Sequence, residues 1–356
     1  MDDRRINHID CLRVIATFAV IVLHVSATNW YTTEVNSFEW GVYNFYDSIV
    51  RWCVPVFVMI SGAIFLNRNI STKEIYKKYV FRIVKSFIVW SFIYAIFIRN
   101  KEKFNIIKAL ILGHHHMWYM FMIVGLYMSI PLLKKLVLSM KSIYYYLLLA
   151  FIFSFLIPEI ILLLRDFGSY RIRDLSSVFE TILGYINISI VLGYSSYFIL
   201  GYCIEKVCIK QRGKLVVYIV GIMGFVFTIV VDWIVAIKTN EPCSRYYDNF
   251  CVNVLAESVA VYVWFKSKVF PEIVYKFCEK VAKYSFRIYL VHALIIELLN
   301  IRFSVTPVIF NPLISIPVIS FVVFLISFFI SFIIDICIVA IRNAIIIMKG
   351  NSRLWH

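Results

Sequence analysis

Charge is what this chain of 356 residues has least of. Only 16% of its residues are Asp, Glu, Lys or Arg, where a soluble domain carries about a quarter. The shortage falls on the acids, with 21 Asp and Glu against 36 Lys and Arg. The eight cysteines include no C-x-x-C pair and no metal-ligand spacing, which excludes a zinc ribbon or a dithiol redox motif. No strand–helix repeat and no glycine-rich phosphate loop is present, so a nucleotide-binding α/β domain is excluded as well. The short alternating segments of a β-barrel are also missing.

What fills the space is apolar: 62% of the chain, spread along its whole length. That distribution points to an all-α, polytopic integral membrane helix bundle, since lipid leaves no partner for unpaired backbone groups. Ten spans are expected, at 9–28, 48–66, 80–98, 117–133, 143–164, 188–204, 215–235, 247–265, 284–300 and 314–340. The first carries Arg13 and His24 and has no small-x-small cleavage site after it, so it is expected to be retained. An even count puts both termini on one side. Placing them in the cytoplasm gives the inner segments 23 Lys and Arg, counting Arg82 and Lys85 at the inner end of the third span, against 10 outside, with Arg13, Arg51 and Arg287 within other spans. That asymmetry follows the positive-inside rule; RNKEK at 99–103 runs against it. The expected organisation is one transmembrane domain over 1–345 and a short cytoplasmic tail at 346–356. The same asymmetry accounts for the net charge of +15 without nucleic acid, and makes membrane lipid the expected partner. Cys243 and Cys251 are a candidate pair if both reach the outer face.

Ionisable groups inside spans are costly and line cavities or pair with one another. Arg13 and His24 lie eleven residues apart, three turns plus about 20°, with an axial rise of about 16 Å. Asp10, Arg13 and His24 therefore share a face at different depths. Arg13 is either a functional cation or a boundary residue paired with Asp10; His24 is either a reactive imidazole or a packed ring bonded to a serine or a carbonyl. In RWCVPVFVMISGAIF, Pro55 is expected to kink the second span, and Ser61–Gly62 offers a close-approach position. Arg51 has two readings, a contact for an anionic or sugar substrate or an i,i+4 partner for Asp47. Lys78, Arg82 and Lys85 share one helix side, as a membrane anchor or as a phosphate-docking site. HHHMWYM at 114–120 lacks zinc partners, and three consecutive residues do not converge on one helix face, so no metal is expected. Trp118 and Tyr119 suit an interfacial belt, and His116 a polar cavity. In YSFRIYLVH, Ser285 and His292 are too far apart along the axis for a hydrolase pair, about 10 Å. Tyr289 is one turn from His292. Glu180, Asp232, Glu257, Glu297 and Asp335 are further acids in or beside spans.

Four segments in series resemble the membrane acyltransferase 3 family: IDCLRVIATFAVIVLHVS, VPVFVMISGAIFL, HHHMWYMFMIVGLYMSIPLL and YSFRIYLVH. The resemblance implies a multi-pass enzyme of the bacterial inner membrane. It would move an acyl group, usually acetyl from cytoplasmic acetyl-CoA, to a hydroxyl of a surface or lipid-linked glycan. The late motif is similar to the surface-polysaccharide O-acetyltransferase branch. By the same resemblance the catalytic residues are His24 as base and Arg13, with Ser61 as a further candidate. The donor-binding cations are Arg13, Lys78, Arg82 and Lys85, the last a lysine where many members have arginine, which keeps charge but loses the planar fork. Ala63 follows Ser61–Gly62 where many relatives have an aromatic. Asp10, Arg51, His116, Trp118, Tyr289 and His292 are the candidate substrate contacts. Succinyl in place of acetyl, a flippase of lipid-linked glycans, a non-enzymatic sensor and a homodimer remain open alternatives.

Overall fold

The structure, a computed structural model, describes residues 7–97, 106–186 and 189–351. The basic stretch RNKEK, the first residue of the expected span at 188–204 and the last five residues of the expected tail lie outside them.

The described chain is helical. α1 (Asn7–Ser26) ends in a 3₁₀ turn, Ala27–Asn29. α2 (Phe38–Ser48) starts where the Ser37 hydroxyl accepts the Trp40 N–H at 3.1 Å, so the stretch read as an open loop contains a capped helix. α3 (Cys53–Phe65) carries Pro55 in its first turn, where the missing N–H is one the helix would leave unpaired anyway. The regular helix of this span is interrupted at residues 49–52, ahead of the proline. Short α4 (Thr72–Glu74), capped by Ser71, leads through a π-helical turn, Ile75–Val80, into α5 (Phe81–Phe97). α6 (Ile106–Leu112) and a 3₁₀ turn at His115–Met117 precede α7 (Trp118–Leu136). α8 (Met140–Ala150) and α9 (Ile157–Phe167) are joined by a second π-helical turn. α10 (Tyr170–Ile186) and α11 (Ser189–Lys206) form a bent pair. α12 (Gln211–Thr239), a 3₁₀ turn at Arg245–Tyr247, α13 (Val252–Ser267), α14 (Glu272–Ala282), α15 (Ser285–Phe303) and α16 (Pro312–Asn351) complete the order.

Among the described residues, eight helical segments are long and apolar enough to cross a membrane, or nine if α10 and α11 count as one bent span. The expected ninth, 284–300, forms α15, whose Arg287, Glu297 and Arg302 keep it from qualifying on composition. Polar contacts define two ends of the bundle. Where α1 begins, His8 Nε2 meets Glu205 at 2.9 Å. Lys266 there donates to the final carbonyls of α11, including those of Glu205 at 3.2 Å and Val207 at 3.1 Å. Asp335 holds Arg287 and Lys283 at the same end, each at 2.8 Å. At the opposite end, Asp166 in the last turn of α9 gathers Arg245 and, through its carbonyl at 2.7 Å, Lys238. Cys243 and Cys251 are both free thiols rather than a pair; Cys243 lies beside Asp232.

α1 is the interior helix, packed against α2, α3, α13, α14, α15 and α16. A few steps away α3 and α11 cross backbone to backbone. A side chain on Gly62 would meet the Phe198 carbonyl, and one on Gly201 would meet the Met59 carbonyl. Neither obstacle has a flexible end that can move aside. Gly62→Ala or Gly201→Ala should each lower stability by about 1–3 kcal/mol, read as a fall in the thermal midpoint of detergent-purified protein. Gly125→Ala, where nothing lies within 4 Å, should leave the midpoint unreduced.

Candidate functional site

The polar face of α1 runs from Asp10 to His24. Asp10 lies 3.7 Å from Arg13, and Thr17 donates to the Arg13 carbonyl at 2.7 Å. His24, partly exposed, places Nδ1 2.8 Å from the Val20 carbonyl. A carbonyl oxygen only accepts, so Nδ1 carries the proton and Nε2 keeps the lone pair. The same logic applies to His292, which is fully buried on α15. Its Nδ1 sits 2.6 Å from the Tyr289 carbonyl and must donate. That leaves His292 Nε2 as an acceptor, 3.2 Å from Nδ1 of His24. Two backbone carbonyls thus fix both tautomers. His24 is held by the pair of acceptors at its Nδ1–H and is left basic at Nε2.

The three consecutive histidines join this pair because they are not helical. Gly113, at φ +68°, follows α6, and the turn His115–Met117 then gathers the three rings, with centres 4.0, 5.0 and 6.0 Å from one another. His116 is buried, with its ring centre 6.2 Å from His24 and 5.3 Å from His292. His115 lies 5.8 Å from His24, and His114 stacks on Tyr94 at 4.6 Å. Nδ1 of His114 and Nδ1 of His116 are 2.8 Å apart, so one donates to the other, and His114 Nε2 lies 3.9 Å from Glu297. The Tyr289 hydroxyl donates to the His116 carbonyl at 2.5 Å, tying the turn to α15. His116 Nε2 is buried with no hydrogen-bond partner among the described residues. Tyr94 adds a second tie between helices. Its hydroxyl donates to the Leu290 carbonyl at 2.8 Å and accepts the Leu294 N–H at 3.0 Å, two groups that face each other one turn apart in α15. Among the described residues no group of three or more His, Cys, Asp or Glu is arranged to hold a metal ion.

The remaining candidates fall in three places. Ser61 donates to the Phe57 carbonyl at 3.0 Å and lies near Tyr119 and Tyr127. Lys78, Arg82 and Lys85 are exposed, with Lys78 3.3 Å from Glu74 and Arg82 beside the Tyr79 ring. Arg13 also lines a cavity of about 420 Å³ with Lys276, Lys280, Lys283 and Glu279. Those lysines sit on or just after α14, an amphipathic helix that sequence reading passed over because it is too short and too charged to span. Arg51, at the far end, is taken up by Asp47 at 2.5 Å and lies over the Tyr247 ring at 4.0 Å. Trp118 is exposed, 5.9 Å from the Tyr194 ring. His114, His115, Tyr94 and α14 were missed as site elements. The signal available for the first two was Gly113, a helix breaker placed directly before them.

A family model described as an acyltransferase domain matches residues 6–334. No curated protein and no solved structure matches the chain.

The tautomer assignment has a direct check. Nitrogen NMR of ring-labelled protein should report His24 and His292 as neutral imidazoles protonated at Nδ1; an Nε2–H tautomer at His24 would contradict the hydrogen-bond logic.

Proposed function

The chain belongs to that acyltransferase family, and from this premise we propose that it transfers an acyl group, acetyl from acetyl-CoA, to a hydroxyl of a surface or lipid-linked glycan. The observation that carries the assignment is the unprotonated Nε2 of His24 on a helix whose other end bears a cationic cavity. In this reading α15 crosses as well, giving ten spans, with both termini in the cytoplasm of a bacterial inner membrane. Residues 1–345 then act as one transmembrane unit, with 346–356 as its tail.

The cavity at the start of α1 suits a donor rich in phosphate. Arg13, Lys276, Lys280 and Lys283 present charge to it, and the exposed Lys78, Arg82 and Lys85 before and at the start of α5 serve as further attracting cations. About 16 Å of helix axis separates Arg13 from His24, a distance suited to the long pantetheine arm of coenzyme A. Ser61, Tyr119 and Tyr127 line that route; Asp10 sets the Arg13 side chain.

At the His24 end the acceptor hydroxyl attacks the thioester carbonyl. A C–O bond forms as Nε2 of His24 takes the hydroxyl proton. The imidazolium is stabilised at its Nδ1–H by the Val20 carbonyl and His292 Nε2. Collapse breaks the C–S bond, and the proton passes from His24 to the departing sulfur. The products are the ester and free coenzyme A. His116 supplies the oxyanion donor when its Nδ1 accepts from His114, because its Nε2–H then faces no other partner. Tyr289 fixes the His116 turn, and Trp118 and Arg51 border the acceptor side.

His24→Ala should cut transfer by about 10²–10⁴-fold while leaving the amount in the membrane unchanged. The readout is acceptor-dependent release of free coenzyme A by purified protein, and wild-type turnover in the variant would remove His24 from the chemistry. His292→Ala should lower kcat about tenfold with little change in KM, as expected for loss of one hydrogen bond to a charged partner. Lys276→Gln combined with Lys280→Gln should instead raise KM for acetyl-CoA several-fold and weaken its salt dependence, with kcat kept.

A further inference from the structure

A second cationic cavity lies at the opposite end of the bundle from the Arg13 cavity. It measures about 430 Å³ and is lined by Arg165, Asp166, Arg173, Lys238 and Arg245, with Val235 and Thr239 completing its wall. Its charge is unbalanced: four cations surround one carboxylate. Asp166 Oδ1 takes Arg245 and lies 3.8 Å from Arg165, while Oδ2 accepts from Tyr246 at 3.3 Å. Lys238 and Arg173 spend one donor each on backbone carbonyls, those of Asp166 at 2.7 Å and Gly168 at 3.1 Å. Each guanidinium has five N–H donors in a fixed fork, so most of the donor capacity around this cavity is not used by the protein.

Helix ends explain part of the clustering. Arg165 and Lys238 stand in the last turns of α9 and α12, where the helix dipole favours cations. Arg173 and Arg245 have no such reason to be there. The location makes them more conspicuous, because in the orientation proposed above this is the outer face, which the positive-inside rule keeps poor in Lys and Arg. Four of the ten such residues assigned outside line this one cavity.

The cavity is also wired to the end of the reaction helix. Arg245, Tyr246 and Tyr247 are successive residues of one 3₁₀ turn. Arg245 faces the cavity. The Tyr246 N–H points to Asp232 at 3.4 Å, and the Tyr247 ring packs 5.5 Å from Trp30, which follows α1.

We propose that this cavity binds a phosphate or diphosphate group, held by the forks of Arg165 and Arg173 with Arg245 and Lys238 as supporting charge. Two sources share that chemistry, the diphosphate of a lipid-linked glycan acceptor and the phosphate of a lipid headgroup. The inference rests on the acyl-transfer reading only for naming the acceptor as a source. Either source would dock beside the His24 end of the bundle.

The test uses full-length protein and inorganic pyrophosphate, read by the thermal unfolding midpoint at constant ionic strength. Pyrophosphate should raise the wild-type midpoint in a saturable way. Arg165→Gln combined with Arg173→Gln should weaken the apparent affinity about tenfold or more. Arg173→Lys, which keeps charge and loses the fork, should fall between them and covers the case in which the double variant folds poorly. An equal rise with sodium chloride, or unchanged affinity in both variants, overturns the proposal. Repeating the titration in phosphatidylcholine and phosphatidylglycerol nanodiscs separates the sources. Competition by phosphatidylglycerol alone assigns the site to a headgroup; equal pyrophosphate binding in both assigns it to the acceptor's diphosphate. His24→Ala should bind pyrophosphate as the wild type does, so loss of the catalytic reading and loss of this site are distinguishable.

Discussion

Inside hydrocarbon a polar side chain has only the protein to bond to, and the way helices meet around α1 follows from that constraint. His24 and His292 each point Nδ1 at a carbonyl of their own helix, and the remaining nitrogen of His292, Nε2, reaches the same Nδ1 of His24. Tyr289 reaches across to the histidine turn, and Tyr94 reaches into α15. None of these contacts is between large apolar surfaces. Each joins helices far apart in sequence, so the polar groups that were costly to bury also dictate which helices are neighbours. Apolar packing then fills the space, closest where Gly62 and Gly201 let α3 and α11 touch backbone to backbone.

The two ends of the bundle use charge differently. At the start of α1, cations are both spent and kept. Lys266 closes the carbonyl end of α11, and Asp335 holds Arg287 and Lys283, while Lys276 and Lys280 face a cavity. At the other end a single residue, Asp166, organises three cations from three segments of the chain, Arg165 and Arg245 at its carboxylate and Lys238 at its backbone carbonyl. Arg51 is different again, since it faces Asp47 and an aromatic ring in the interior and so acts first as structure. A charged residue near a membrane boundary is therefore no guide to its role until its partner is known.

Much of this was legible from residue order. Each of the ten expected spans coincides with a helix, because long apolar runs leave few alternatives in lipid. The spacing of Arg13 and His24 along one face was also readable, since both lie on a single regular helix. What sequence periodicity missed was irregular. The helix Phe38–Ser48 hides behind polar residues and is started by a serine cap. The histidine triplet was judged as if helical, and a 3₁₀ turn after a left-handed glycine made the three rings converge near His24 instead. The partner of His24 could not be read either. His292 lies 268 residues away, and only the fold brings Nε2 to Nδ1.

Tyr94 gives α15 a sideways hold at the level of His292. Its hydroxyl meets the Leu290 carbonyl and the Leu294 N–H, which bracket His292 in the sequence. The segment that aims this imidazole is therefore tied to a second helix as well as along its own axis. The other end of the tie is α5, whose surface is mostly exposed. A lateral shift of α5 would thus be passed through one phenol ring to the angle at which two imidazoles meet.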